Sequence, residues 1–140
     1  MEGSREQRCG QVFGHLVRAV HAVSQAGARA LREHGLTPAQ YQVLRHVSAR
    51  ADVQQRELGD LLGVTKGNVS MLVSRLEGDG LLARTPAGAA YCLRLTEPGT
   101  ALLARIRPEH AAFLVERFAG LDDAELAELD RLLAALDRTS

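Results

Sequence analysis

The segment from residue 54 to residue 84 constrains the fold of this chain more than any other stretch. It reads QQRELGDLLGVTKGNVSMLVSRLEGDGLLAR. Its first half has the apolar face of a short helix, formed by Leu58, Leu61 and Leu62. Gly63 can adopt the positive φ that ends such a helix, and Thr65 is placed to cap the next one. That second helix has an inward stripe made of Val69, Leu72, Val73 and Leu76.

The opposite side of the predicted second helix carries small and hydrogen-bonding side chains. A merely solvated helix face usually carries Glu, Lys and Gln, whereas this one has two cations and a single acidic residue, Glu77, towards its end. Such a face suits a helix whose backbone approaches a DNA groove, because Ser, Asn, Lys and Arg donate to bases and phosphates. The alternative is an ordinary surface helix in a bundle. The candidate DNA-binding residues here are Thr65, Lys66, Gly67, Asn68, Ser70, Met71, Ser74 and Arg75.

Two stretches of this region and one upstream of it resemble a known family. The family is that of the MarR regulators. Its recognition helix and wing are similar to VTKGNVSMLVSRLEGDGLLAR followed by LRLTEPG, and the match extends upstream to LTPAQYQVLRHV. The resemblance covers nearly the whole chain and rests on the order and spacing of the stretches. It implies a winged-helix homodimer that binds DNA as a repressor or activator, often relieved by a small molecule or by oxidation.

The remaining sequence predicts a mostly helical fold with a small β-hairpin, in one domain spanning residues 1–140. Thr37, Pro38 and Gln40 form a strong helix start with a capping box. Val53 is expected to contribute to a small sheet. Thr96 opens a helix with Pro108 inside it, which predicts a kink or a break, and Asp122 caps the last helix. The winged helix-turn-helix is placed at about 37–96, between dimerisation helices at about 5–35 and 97–138.

A hairpin follows the predicted recognition helix and corresponds to the wing. Its strands are expected at residues 81–84 and 91–95, with residues 85–90 as the loop. That loop is uncharged, whereas other members of the family often place an acid and one or two arginines there. An arginine in the loop can enter the minor groove, so the resemblance implies a weak wing contact here. Arg84 and Arg94, at the strand ends, are candidate phosphate contacts.

Composition and charge narrow the functional class. The formal net charge is zero, but residues 120–140 carry −4 and residues 1–119 carry +4. This division is typical of a dimer-forming part and a DNA-facing part. Two cysteines far apart, a polar N-terminus and no long apolar run favour a cytoplasmic protein without a membrane span. We find no phosphate loop, serine elbow or HExxH pattern, and we expect neither an enzyme nor a cofactor.

The residues offer more than one candidate for the signal that controls such a regulator. A ligand pocket between dimer helices and DNA-binding lobe is the usual device of the family, and His15, Tyr41 and His46 are candidates for its polar groups. Cys9, early in the first helix, is a candidate redox sensor, although no further tyrosines are available to orient its sulfur. The histidines and Glu109 offer no paired metal-ligand spacing, so we expect no metal site.

The sequence therefore predicts a sequence-specific transcriptional regulator, acting as a homodimer on a pseudo-palindromic operator in double-stranded DNA. We expect it to be a repressor that responds to a small molecule. Two alternatives remain. One is a winged helix used for protein interaction without specific DNA binding, and the other is a redox-responsive regulator that uses Cys9.

Overall fold

The computed structural model describes residues 3–138, which form six helices and a three-stranded antiparallel sheet. In chain order these are α1 (Arg5–Arg32), α2 (Pro38–Ala49), β1 (Val53–Gln54), α3 (Gln55–Leu62), α4 (Lys66–Gly78), β2 (Leu82–Ala87), β3 (Ala90–Leu95), α5 (Glu97–Arg117) and α6 (Asp123–Asp137). The predicted fold class is confirmed. Within residues 3–138, no helix is long and apolar enough to cross a membrane.

All the described helices except α3 begin where a side chain accepts from a free backbone N–H group. At the start of α2, the Thr37 hydroxyl accepts from the Gln40 amide at 3.2 Å, and the Gln40 side chain accepts from the Thr37 amide at 2.9 Å. The same reciprocal box opens α6 through Asp122. A third box, not foreseen from the sequence, opens α1 through Ser4. Each cap contributes about 1 kcal/mol, so these starts are fixed locally.

The core lies between α2, the helix-turn-helix of α3 and α4, the sheet, and the first half of α5. Its largest fully buried side chains are Val43, Leu44, Val53, Leu58, Val73, Leu76, Leu93 and Ile106. Leu61 was expected to join them but is 52% exposed. On a helix Leu61 and Leu62 lie on opposite sides of Leu58, and Leu62 is the one that packs against the core.

The hairpin is longer and its turn tighter than the sequence suggested. The ladder of β2 and β3 continues to the pair Ala87 and Ala90, so the turn is reduced to Gly88 and Ala89. Gly88 has φ of +65°, which a two-residue hairpin turn requires. Pro86 favours a loop in the sequence, but β2 is an edge strand, where a residue without an N–H is tolerated.

Helix α5 continues through Pro108 to Arg117, close to the predicted end of this helix, so of the two expected effects of the proline, a kink or a break, the break does not occur. Proline removes the bond from its own nitrogen to the carbonyl oxygen of Ala104. Both Pro108 and Ala104 are exposed, so water can satisfy that carbonyl. The loss of one hydrogen bond on the solvent side does not end the helix.

A close backbone contact joins the end of α4 to the start of α5. The Thr96 hydroxyl accepts from the Gly99 amide at 3.1 Å and donates to the Gly80 carbonyl oxygen at 2.6 Å. Gly99 lies so near Leu81 that a Cβ at this position would overlap the Leu81 carbonyl oxygen. This junction holds α5 against the hairpin.

We expect Gly99→Ala to destabilise the protein by about 1–3 kcal/mol, because the methyl group would force α5 away from Leu81. Gly10→Ala is the matched control, since nothing lies within 4 Å of a Cβ at Gly10 in α1. That change should be neutral or stabilising by up to ~1 kcal/mol. Thermal unfolding followed by circular dichroism compares the two. Equal melting temperatures for both variants would show that the junction tolerates a side chain.

Candidate nucleic-acid interface

Helix α4 presents a continuous polar surface to solvent. Thr65 caps it, and its hydroxyl accepts from the Asn68 amide at 3.3 Å. Val69, Val73 and Leu76 are buried. On the opposite face Gly67, Met71, Ser74 and Arg75 are exposed and Ser70 is half-buried, while Lys66 and Asn68 flank this face and are exposed as well. The structure therefore brings the eight candidates of this helix and its cap onto one surface.

The turn before α4 sets the angle at which this surface is presented. Gly63 ends α3 with φ of +66°, and the Val64 amide donates to the Gly59 carbonyl oxygen at 3.1 Å. A Cβ at Gly59 would lie 3.2 Å from the Val64 carbonyl oxygen, so the two helices approach closely here. Glycine at both positions allows the tight turn.

Arg84 lies on the hairpin face that is turned towards α3 and α4. One Nη atom donates to the Ser74 hydroxyl oxygen at 2.7 Å, and the other donates to the Gln55 side-chain oxygen at 3.4 Å. Its Nε lies 3.6 Å from a Glu77 carboxylate oxygen, and its guanidinium lies 5.6 Å from the Tyr91 ring centroid. The side chain is only 19% exposed. Arg84 is a candidate phosphate contact, but its donors are directed at other side chains of the protein.

Arg94 lies on the other face of the hairpin, away from α4. It pairs across the ladder with Ala83, and its Nε and Nη2 donate to one Asp52 carboxylate oxygen at 3.2 and 2.7 Å. This bond, and the Asp52 charge, hold the pKa of Arg94 above its usual value. Arg94 lines a groove of about 530 Å³ between α2, β3 and α5, with Arg50 and Arg107. The structure does not bring Arg94 together with the α4 surface.

A separate cleft of about 230 Å³ lies between α1, α2 and α5. Its aromatic and ionisable lining consists of Tyr41, Arg45, His110 and Phe113, and Ser24 and Gln42 add polar groups. Of the three predicted pocket residues, Tyr41 lies here, whereas His15 and His46 do not line the cleft. His46 is five positions after Tyr41 and therefore points about 140° away around α2.

His15 is exposed on α1, and His46 is half-buried on α2. The sequence indicated His110 only as a possible metal ligand beside Glu109, so its position in the cleft was not predicted. The spacing of His110 and Phe113 along α5 was the available signal, since residues three apart share a helix face.

The chemistry of the cleft centres on His110. Its ring centroid lies 4.7 Å from that of Tyr41, at a tilted angle of 51°. Burial lowers the pKa of His110 below its usual value, and the positive charge of Arg45 lowers it further. Both effects favour the neutral imidazole, which offers one donor and one acceptor.

The residues considered for metal or redox chemistry are placed apart. Within residues 3–138, no group of three His, Cys, Asp or Glu side chains is arranged to hold a metal ion. His34 instead pairs with Glu109 at 2.8 Å, which links the end of α1 to α5. Cys9 is an exposed free thiol beside Arg5 in a groove formed by α1 and α6. Redox sensing by Cys9 stays a prediction.

Comparison with known proteins places this arrangement in a family. The sequence profile of the MarR family matches residues 34–90, from the end of α1 to the tip of the hairpin. YkoM of Bacillus subtilis, an uncharacterized HTH-type transcriptional regulator, is 30% identical over 131 residues, which cover 91% of this chain and 84% of YkoM. The chain belongs to the MarR family. It is thus a DNA-binding transcriptional regulator and not an enzyme.

Solved structures of MarR-family proteins share the fold. AbsC of Streptomyces coelicolor superposes with a TM-score of 0.86 at 20% identity, over 99% of this chain and 97% of AbsC. A mutant of MarR from E. coli, complexed with operator DNA, superposes with a TM-score of 0.74 at 27% identity, over 86% of this chain and 92% of that one.

We expect the free energy of unfolding to fall as the pH drops from about 7 towards 5, partly because of His110. A histidine whose pKa is lower when folded binds its proton more readily when unfolded, near pH 6.5, so acid favours unfolding. His110→Asn should flatten this part of the pH profile and leave a constant difference from wild type above pH 8. Urea denaturation at several pH values provides the measurement. Identical slopes for both proteins would show that His110 does not contribute.

Proposed function

We propose that this MarR-family regulator binds a pseudo-palindromic operator as a homodimer, with α4 of each subunit in a major groove. The observation that carries the proposal is the small, donor-rich and exposed face of α4, fixed by a buried stripe on its other side. Gly67, Ser70 and Ser74 leave room for the backbone near base edges. Met71, 72% exposed, can contact a thymine methyl group.

The terminal helices support the homodimer. Helix α1 has 28 residues and buries only Gly27 and Leu31, and no residue of α6 is buried within the described chain. Large apolar side chains are left exposed on α1, at the end of α5 and on α6, namely Val12, Phe13, Val17, Val20, Val115, Phe118, Leu132 and Leu133. An apolar surface of this extent marks an interface. A two-fold axis there would place two recognition helices about 10 base pairs apart.

Lys66 and Arg75 are the two cations of the α4 surface and the proposed source of its affinity. One of them touching a guanine would give about 1–3 kcal/mol of discrimination. The hairpin turn, Gly88 and Ala89, carries no charge, and Arg84 is turned towards the helices. With so few cations engaged, we expect a shallow salt dependence, corresponding to roughly 4–8 phosphates for the dimer.

We also propose that the protein is a repressor whose DNA binding responds to a small molecule in the α1–α2–α5 cleft. The cleft combines aromatic walls, Tyr41 and Phe113, with the cation Arg45 and the neutral His110. These groups suit a flat ligand that carries an anionic or hydrogen-bonding substituent. The ligand would touch both α1, which carries the proposed dimer surface, and α2, which packs on α4.

Arg75→Ala should lower operator affinity by at least tenfold, because it removes one of two cations from the α4 surface. Ala89→Ser in the hairpin turn is the control and should leave affinity within about twofold. It is preferred to a change at Gly88, whose φ of +65° disfavours a side chain. Fluorescence anisotropy with DNA from upstream of the protein's own gene provides the measurement. A larger loss of affinity from Ala89→Ser than from Arg75→Ala would show that the wing, and not α4, is the main DNA contact. Absence of specific binding by the wild-type protein would favour the protein-interaction alternative.

Leu132→Glu should convert the dimer to a monomer, because it buries a charge in the proposed interface of α1 and α6. Leu61→Glu in α3 is the matched control, since the two leucines are 50% and 52% exposed. Sedimentation velocity at micromolar concentration separates the two states. If both variants sediment as wild type does, α6 lies outside the interface.

A further inference from the structure

The contact between Arg84 and Ser74 joins the hairpin to the exposed face of α4. Their separation of 2.7 Å is the shortest of the polar contacts that Arg84 makes. Ser74 belongs to the proposed DNA surface, whereas the Arg84 side chain is mostly covered. Arg84 therefore contacts the proposed DNA surface through the Ser74 hydroxyl, from the side of the hairpin.

The chemistry of this contact fixes how the Ser74 hydroxyl can be used. A serine hydroxyl normally rotates, and it can donate or accept according to its partner. A guanidinium has donors and no acceptor, so Ser74 must accept from Arg84 and its own proton must point elsewhere. Ser74 is exposed, so the proton that is not directed at Arg84 is available to a partner in solvent.

Three further contacts keep Arg84 in this position. Glu77 on α4 offsets its charge at 3.6 Å, Gln55 at the start of α3 accepts at 3.4 Å, and the Tyr91 ring packs at 5.6 Å. These partners come from three different elements. Because Glu77 offsets its charge and three elements hold its side chain, Arg84 is suited to orienting a neighbouring group rather than to neutralising a phosphate.

We propose that Arg84 is a positioning residue that orients the Ser74 hydroxyl as a hydrogen-bond donor, and that Ser74 thereby selects an acceptor on a base edge. This inference rests on the proposed placement of α4 in the major groove. The acceptors available there are purine N7, guanine O6 and thymine O4, whereas cytosine N4 and adenine N6 are donors. Ser74 should therefore favour a base edge that presents one of these acceptors, on guanine, thymine or adenine N7, and disfavour the N4 edge of cytosine.

The test begins with selection of operator sequences from random DNA by the full-length wild-type protein and by Ser74→Ala. Wild type should select one base pair in each half-site that Ser74→Ala no longer selects. Its preferred base should present an acceptor to α4, and Ser74→Thr, which keeps the hydroxyl, should retain the preference. Loss of the preference in Ser74→Thr, or its survival in Ser74→Ala, would overturn the proposal. Failure of wild type to select any sequence would instead overturn the proposed function itself.

Arg84 is then tested by affinity and salt dependence on the selected operator. Arg84→Ala should reduce the preference at the same base pair by about three- to tenfold and leave the slope of log K against log salt unchanged. A slope shallower by about one for each subunit would show that Arg84 contacts a phosphate, and would overturn the proposal.

A double-mutant cycle distinguishes positioning from independent contacts. Once Ser74 is alanine, replacing Arg84 should cost no further discrimination at that base pair, whereas additive losses would contradict the proposal. Thr85→Ala is the control, because Thr85 follows Arg84 on β2 and its side chain lies on the opposite face of the hairpin; it should leave the preference at that base pair intact. Thermal unfolding shows whether Arg84→Ala folds, and Arg84→Lys, which retains a donor, provides a second variant for the same cycle.

Discussion

Burial of one stripe of α4 is the constraint on which the rest of this structure depends. Val69, Val73 and Leu76 are at most 2% exposed and pack against α2, α3 and the hairpin. Burial of each such side chain contributes about 1.5–3 kcal/mol, which exceeds the usual contribution of an exposed ion pair. Because a helix buries one face at a time, this stripe also decides that Met71 and Arg75 face solvent. Stability and the presentation of the proposed DNA surface thus have the same cause.

The register of the hairpin is the second constraint, and it separates two arginines that look equivalent in the sequence. Arg84 is opposite Leu93, and that pair faces the helices; Arg94 is opposite Ala83, and that pair faces away. A slip of one residue would exchange the two faces and remove Arg84 from Ser74. The complete burial of Leu93 in the core holds the register in place.

The terminal helices α1 and α6 leave large apolar side chains exposed in the single chain. Helix α1 packs on α2 and α5 near its C-terminal end, where Leu31 is buried, while its first four turns expose Val12 and Phe13. The cleft containing Tyr41 and His110 lies beside the packed part of α1. A ligand there and a partner subunit on the exposed part would therefore both act on α1, which provides a physical route for coupling between them.

The sequence by itself determined the features that depend on short-range chemistry. Helix starts follow from side chains that bond the nearest free amides, and the predicted caps are present at Thr37, Thr65, Thr96 and Asp122. The apolar periodicity of α4 likewise fixes its inward face, because three or four residues make one helical turn. These signals sufficed for the order of the elements and for the outward face of the recognition helix.

Only the tertiary structure decided features that depend on residues distant in the chain. The hairpin extends past Pro86 because β2 is an edge strand, and Leu61 is exposed because the core covers one side of α3. Tyr41 meets His110 because α2 and α5 pack together, and Arg84 turns towards Ser74 because strand pairing sets its face. Local propensity cannot specify these contacts, since each depends on which elements meet and in which register.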